Sequence, residues 1–357
     1  MRLSVKFGPL VLLCFVGSTA LAQDDTDKIR INGIDAGEEV LVAMSALKAP
    51  GQGCFENDEH KKDERTWIVR RADDGLVTVP NLGRGCVLTV AAFSRKRAML
   101  LTTLSGWTDQ GGEVRTVTMK PPIDVPVVIW IADNAVEKLA YSHAAHAAEY
   151  YRNNMVGFKF VPTFKNVSGD SVKVDRIQRA VIPHPTVPNA SVCSDIGLLK
   201  GHAYKAKTLN VYYVSRENLH RNCAIRETPD CGDDETDPVK FARVDANVTY
   251  IGVDATTLPV LAHELGHAFG LRPICKFGHP ILGPGLDETN IMWNAGGDKR
   301  VKFTLGQVFR INTQDDRWGG TMIIANKLRA GPGRKCRLKE QEHSTYECPP
   351  LNLTLEP

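Results

Sequence analysis

The chain lacks an apolar run long enough to cross a bilayer. Its N-terminal run, Leu10 to Val16, is well short of the roughly 20 residues a spanning helix needs, and no later segment reaches that length. It also lacks a dominant charge. Lys and Arg number 44 against 41 Asp and Glu, a formal +3, so neither nucleic acid nor an anionic surface is implied as a partner. Apolar residues make up 43% of the chain, enough for real cores, and 357 residues suffice for two ordinary domains.

The first residues have the layout of a cleavable leader. Arg2 and Lys6 give a positive start, the apolar run follows, and Ser18-Thr19-Ala20-Leu21-Ala22 supplies small residues in an A-x-A pattern. Leu13-Cys14 does not fit a lipoprotein cleavage box. Residues 1–22 are therefore expected to be a signal peptide, and the mature chain to be secreted or periplasmic. Of nine cysteines, Cys14 leaves with the leader, and the even remainder in an oxidising compartment points to disulfides. Spacing does not fix their connectivity. The pairs expected, in order, are Cys223 with Cys231, Cys336 with Cys348, Cys54 with Cys86, and Cys193 with Cys275.

Residues 23–122 read as a small all-β sandwich. Thr66 to Val69, Leu76 to Val79, Val87 to Val90 and Val114 to Met119 are short β-rich runs, parted by turn signals such as Asp73-Asp74-Gly75. Pro121-Pro122 marks the boundary. Beyond it, residues 123–325 change pattern. Val125 to Ala132 is a continuous apolar run suited to a strand buried on both faces, and Asp133 or Asn134 is placed to cap an alanine-rich helix running to about Asn154. Phe158 to Pro162 and Leu209 to Val214 follow as strands, which predicts a mixed sheet with a crossover helix. His143 and His146 lie on that helix and read as a partly exposed face. Residues 326–357, with prolines and two cysteines, read as a stapled tail.

The segment that carries chemistry is Leu261-Ala262-His263-Glu264-Leu265-Gly266-His267-Ala268-Phe269-Gly270. Thr256 or Thr257 suits its helix cap, Pro259 its first turn and Gly270 its end. Residues four apart on a helix lie one turn above each other, so His263 and His267 aim their imidazoles at one point. Zinc takes such nitrogen ligands and keeps a position open for water in a catalytic site. Glu264 stands beside that point as the candidate general base.

This motif resembles the opening of the extended zinc motif of metzincin metallopeptidases, and Asn290-Ile291-Met292-Trp293 resembles their Met-turn. The resemblance runs from about Val125 to Ile324. It implies an α+β zincin-like catalytic domain with a mixed sheet and an active-site helix, one catalytic zinc ion, and Met292 as a floor beneath the metal. Thr304-Leu305-Gly306-Gln307 matches a capping box that opens a C-terminal helix, where such proteins have one. The family's third ligand stands six residues after the second histidine, a position held here by Pro273, whose side chain cannot bind zinc. His279 is the nearest later donor and is expected to take the role. Asp287 and Glu288 are the alternatives, since carboxylates also complete such sites.

The resemblance implies a zinc metalloendopeptidase that hydrolyses a protein or peptide substrate, with Glu264 as catalytic base and His263 and His267 on the metal; His279 is the expected third donor, with Asp287 or Glu288 as alternatives. The alternative is a non-catalytic secreted protein on a zincin-like scaffold, with the β module gripping a protein or glycan. A further rival is a zinc hydrolase whose third ligand is a downstream glutamate. The acidic run Cys231 to Asp237 lacks the spacing of a calcium loop and reads as solvated surface, so calcium is not supported as a cofactor. Cys54 reads as a disulfide partner rather than an inhibitory thiolate.

Overall fold

Alternating apolar residues build the N-terminal part of the computed structural model, which describes residues 26–47, 67–79, 87–104, 112–154, 156–183, 191–193, 196–214, 223–224, 248–252, 257–269, 271, 288–293 and 299–313. Seven strands come first: β1 (Lys28–Asn32), β2 (Val40–Leu47), β3 (Trp67–Arg71), β4 (Leu76–Thr78), β5 (Val87–Ser94), β6 (Leu100–Leu104) and β7 (Val114–Thr118). They form a three-stranded sheet in the order β4-β1-β7 and a four-stranded sheet in the order β3-β2-β5-β6. Successive side chains of a strand point to opposite faces. Val40, Val42 and Met44 of β2 and Leu88, Val90 and Ala92 of β5 therefore share one face and pack with Ile29, Ile31, Val77 and Val117 of the smaller sheet.

The other face of β2 and β5 is equally apolar. Leu41, Ala43, Ala91 and Phe93 are buried in a cluster whose remaining members come mostly from beyond residue 122. Gly157 shows how closely the two parts meet. It has a positive φ of 71°, and a Cβ there would run into the Arg97 carbonyl and the Ala98 Cα. Only glycine fits both the conformation and the space.

The second part begins with β8 (Ile123–Ile131), a 3₁₀ turn over Asn134–Val136 and α1 (Glu137–Asn153). Asp133 accepts a hydrogen bond from the Ala135 backbone, so the expected capping group opens the turn that leads into α1. Next come β9 (Phe158–Asn166), α2 (Ser171–Arg179), β10 (Val181–Pro183), β11 (Ser191–Cys193) and α3 (Ile196–Leu199). β12 (Leu209–Val214), β13 (Cys223–Ala224), β14 (Val248–Gly252), α4 (Val260–Ala268) and α5 (Leu305–Thr313) complete the order. The result is a mixed α+β structure with several sheets, as the sequence predicts at that level.

Its largest sheet has five strands in the order β13-β14-β12-β8-β9. β8, β9, β12 and β14 run parallel, and β13 is antiparallel to β14 at one edge. Two prolines sit where this ladder tolerates them. Pro162 is on β9 at the other edge, and Pro126 lies in β8 just before its pairing with β12 begins at Val127. One face of the sheet, with Val125, Val127, Ile129 and Ile131 of β8, packs with residues of α1, α4 and α5. The other, with Val128 and Trp130, packs with Ile177 of α2 and Leu199 of α3. The helix that carries the histidine motif thus shares a core with α1 on one side of the sheet. Among the described residues no helix is long and apolar enough to cross a membrane.

Candidate active site

The helix α4 starts as its residues dictate. Val260 N–H donates to the Thr257 carbonyl, and His263 N–H to the Pro259 carbonyl, so Pro259 sits in the first turn, where a missing N–H costs nothing. At the other end Leu271 N–H reaches back to the Gly266 carbonyl at 2.9 Å. That six-to-one bond is the closure that a glycine at position 270 favours, although Gly270 itself lies outside the described residues. Behind α4, Tyr151 of α1 is fully buried and donates its hydroxyl to the Ala262 carbonyl at 3.0 Å. Phe269, at the helix end, packs on Tyr151, Phe158 and Phe160 with ring centroids 5.5, 5.2 and 6.4 Å apart. Burying each such ring contributes on the order of 1.5–3 kcal/mol. The helix is therefore held by packing and by polar ties to other elements, not by its own short length.

His263 and Glu264 are both buried in the fold, 8% and 6% exposed. Nδ1 of His263 lies 2.5 Å from the Ile291 carbonyl oxygen. A carbonyl only accepts, so Nδ1 carries the proton and the ring's lone pair resides on Nε2. The same turn presents Met292 to α4 from below. A Cβ on Gly266 would collide with the Met292 Sδ, so glycine at that position lets the methionine lie directly against the helix between the two histidine positions. Ile291 and Met292 are wholly buried. The turn is closed by Trp293 N–H to the Asn290 carbonyl, and is laddered to the chain at Lys302 through Ile291 N–H. Thr304 and Gln307 form the expected capping box. Gln307 N–H donates to Thr304 Oγ1 at 3.1 Å, and Gln307 Oε1 accepts from Thr304 N–H at 2.9 Å.

Of the residues singled out in the sequence, His263, Glu264 and Met292 are thus brought to one place. The backbone of His267 lies on α4 one turn after His263, and its side chain is outside the described residues. His279, Asp287, Pro273 and the acidic run from Cys231 also fall outside them, as do six of the eight cysteines and the side chains of Cys193 and Cys223. Glu288 is described. It is exposed and its carboxylate is 2.7 Å from Lys299 Nζ, an arrangement that gives it a surface ion pair instead of a buried ligand's setting. Among the described residues no group of three or more His, Cys, Asp or Glu gathers to hold a metal ion.

No family model matches the chain, and no curated protein matches it either.

One reading from the sequence is corrected by the fold. His143 is not part of a partly exposed face, whereas His146 is. His143 is wholly buried, and its Nδ1 is 3.0 Å from the Tyr213 hydroxyl of β12, while His146 is half-buried. The buried stripe of α1 is wide because the helix packs on the sheet, on α4 and on Phe303. It takes in Ala140, His143, Ala144, Ala147, Tyr150 and Tyr151. Tyr151 does not stand out in the sequence, since nothing local distinguishes it from its neighbour Tyr150.

Two outcomes are expected. Burial, and secondarily the neighbouring His146, push the pKa of His143 down from 6.5 to about 4. The folded state resists protonating it, so its contribution to stability is complete above pH 6.5 and is lost as pH falls toward 4. The full shift corresponds to about 3 kcal/mol. Urea titrations of metal-free protein across that range should show a shallower acid loss for His143→Asn than for the wild type. Gly266→Ala must displace the Met292 thioether and should cost about 1–3 kcal/mol of stability, measured by urea unfolding.

Proposed function

We propose that this chain is a secreted zinc-dependent metallopeptidase with a metzincin-like catalytic domain. The observation that carries the reading is the bond from His263 Nδ1 to the Ile291 carbonyl, above a methionine packed against Gly266. A metal-binding histidine donates its other ring nitrogen to a carbonyl or carboxylate, which fixes the tautomer and aims the ligand. A buried histidine in that state, one helical turn from His267 and next to buried Glu264, fits zinc chemistry. The α+β architecture, with the histidine helix following a strand of a mixed sheet, supports the same reading.

His263 and His267 would hold the metal through their ring nitrogens, with His279 as the third donor. Zinc, when bound, supplies a Lewis acid that polarises a scissile carbonyl and lowers the pKa of water. Glu264 takes the proton of the attacking water and later gives it to the leaving amine. Its position beside His263 on a rigid, packed helix keeps the base in place without help from the substrate. Burial restricts water around it, which strengthens its electrostatic influence on the reacting groups. Met292 donates nothing to the metal and supports α4 by contact alone.

Zinc content and cleavage of a mixed protein substrate, measured together, test the proposal. Wild type should hold one zinc ion and cleave. Glu264→Gln should keep the zinc and lose hydrolysis, while His279→Ala should sharply weaken zinc retention. Wild-type rates in Glu264→Gln would sink the mechanism, and full occupancy in His279→Ala would remove that residue from the site. Stoichiometric zinc with no cleavage by the wild type would favour a non-catalytic protein on this scaffold.

A further inference from the structure

The turn that presents Ile291 and Met292 is held by a pair of side-chain amides on two separate elements. Asn290 Nδ2 donates to Gln307 Oε1 at 2.9 Å, and Gln307 Nε2 donates back to Asn290 Oδ1 at 3.0 Å. Each oxygen has a second task. Asn290 Oδ1 also accepts from Met292 N–H at 3.0 Å, and Gln307 Oε1 also accepts from Thr304 N–H at 2.9 Å. Both side chains are buried, 1% and 2% exposed. The pair therefore clasps the Met292 turn to the first turn of α5, with these polar groups satisfied. A buried network of this kind specifies one arrangement, because any other leaves polar groups unpaired.

Ile291 sits inside this clasp, between Asn290 and the backbone N–H that the Asn290 side chain holds. Its carbonyl is the group that receives the His263 Nδ1 proton. We infer that Asn290 and Gln307 are positioning residues for the proposed zinc site, acting through the Ile291 carbonyl on the tautomer and aim of His263. The inference rests on the zinc reading for its functional meaning. Its geometry rests on the amide pair alone. Gln307 is thus more than a helix-cap partner: it caps α5 and, with the same oxygen, orients the turn that bonds His263. Asn at 290 and Gln at 307 suit this role because an amide offers a donor and an acceptor at once. A carboxylate at either position would oppose two acceptors in a buried place.

The test uses the full mature chain with Asn290→Asp, which changes one atom, and Gln307→Met, which keeps the volume without the amide. Thr304→Ala serves as a control, because it removes the cap bond and lowers stability without touching the amide pair. Two readouts are taken. Imidazole nitrogen NMR shifts of His263 in metal-free protein report the tautomer, and release of zinc to a chelator reports retention. Wild type should show the Nδ1-protonated tautomer. The two amide variants should mix tautomers and release zinc about 10-fold faster, at the low end of the roughly 10–100-fold affinity loss that follows removal of a ligand's direct partner. Thr304→Ala should lose stability while keeping both signals. An unchanged tautomer and release rate in both amide variants would overturn the inference, as would an equal shift in Thr304→Ala. If either amide variant does not fold, the other decides. A wild-type chain that binds no zinc would sink the zinc reading instead, and the tautomer in metal-free protein would still decide the clasp.

Discussion

The hydrogen bond from His263 to the Ile291 carbonyl joins two segments that are far apart in the chain, and the rest of the site is arranged around it. It requires that α4 and the turn at Asn290 to Trp293 approach to contact distance. Gly266 makes that approach possible by having no side chain where Met292 lies. Tyr151 also grips α4, through the Ala262 carbonyl and the ring of Phe269, so a tyrosine hydroxyl and a methionine thioether both hold the helix in place.

This arrangement explains why a helix of nine residues can carry rigid chemistry. Such a helix is marginal by itself, since isolated helices below about 12–15 residues are barely stable in water. Its order comes from tertiary packing. The same is true of the turn, which has few local hydrogen bonds and depends on its ladder to Lys302 and on α5. Asn154, at the end of α1, accepts from the Phe303 N–H at 2.8 Å and so ties the returning chain to the helix that backs α4. The elements around the proposed zinc site form a closed ring of mutual support.

The four-stranded sheet of the N-terminal part is bound into the same core. Residues 23–122 read in the sequence as a module of their own, because turn signals and a double proline separate them from the remainder of the chain. The strands near Trp67, Leu76, Val87 and Val114 are legible from short β-branched runs. β1, β2 and β6 do not stand out in that way. β2 is apolar on both faces, and a run such as Val40 to Ala46 has no alternation to distinguish a strand from a buried helix. That second apolar face is what meets the later residues. Its meaning is visible only once its partner is in place.

By itself the sequence determined the motif helix, the capping box at Thr304 and Gln307, and the pairing of strand, helix and strand over residues 123–166. These are local matters of spacing, capping chemistry and continuous apolar runs, and they need no knowledge of distant residues. Tertiary structure alone decided that His143 is buried against Tyr213 and that Tyr151 holds α4. It alone decided that the Ile291 carbonyl sets the His263 tautomer and that Asn290 clasps Gln307. Each of these joins residues separated by 17 to 111 positions, and contacts at such range leave no periodic trace in either partner's own neighbourhood.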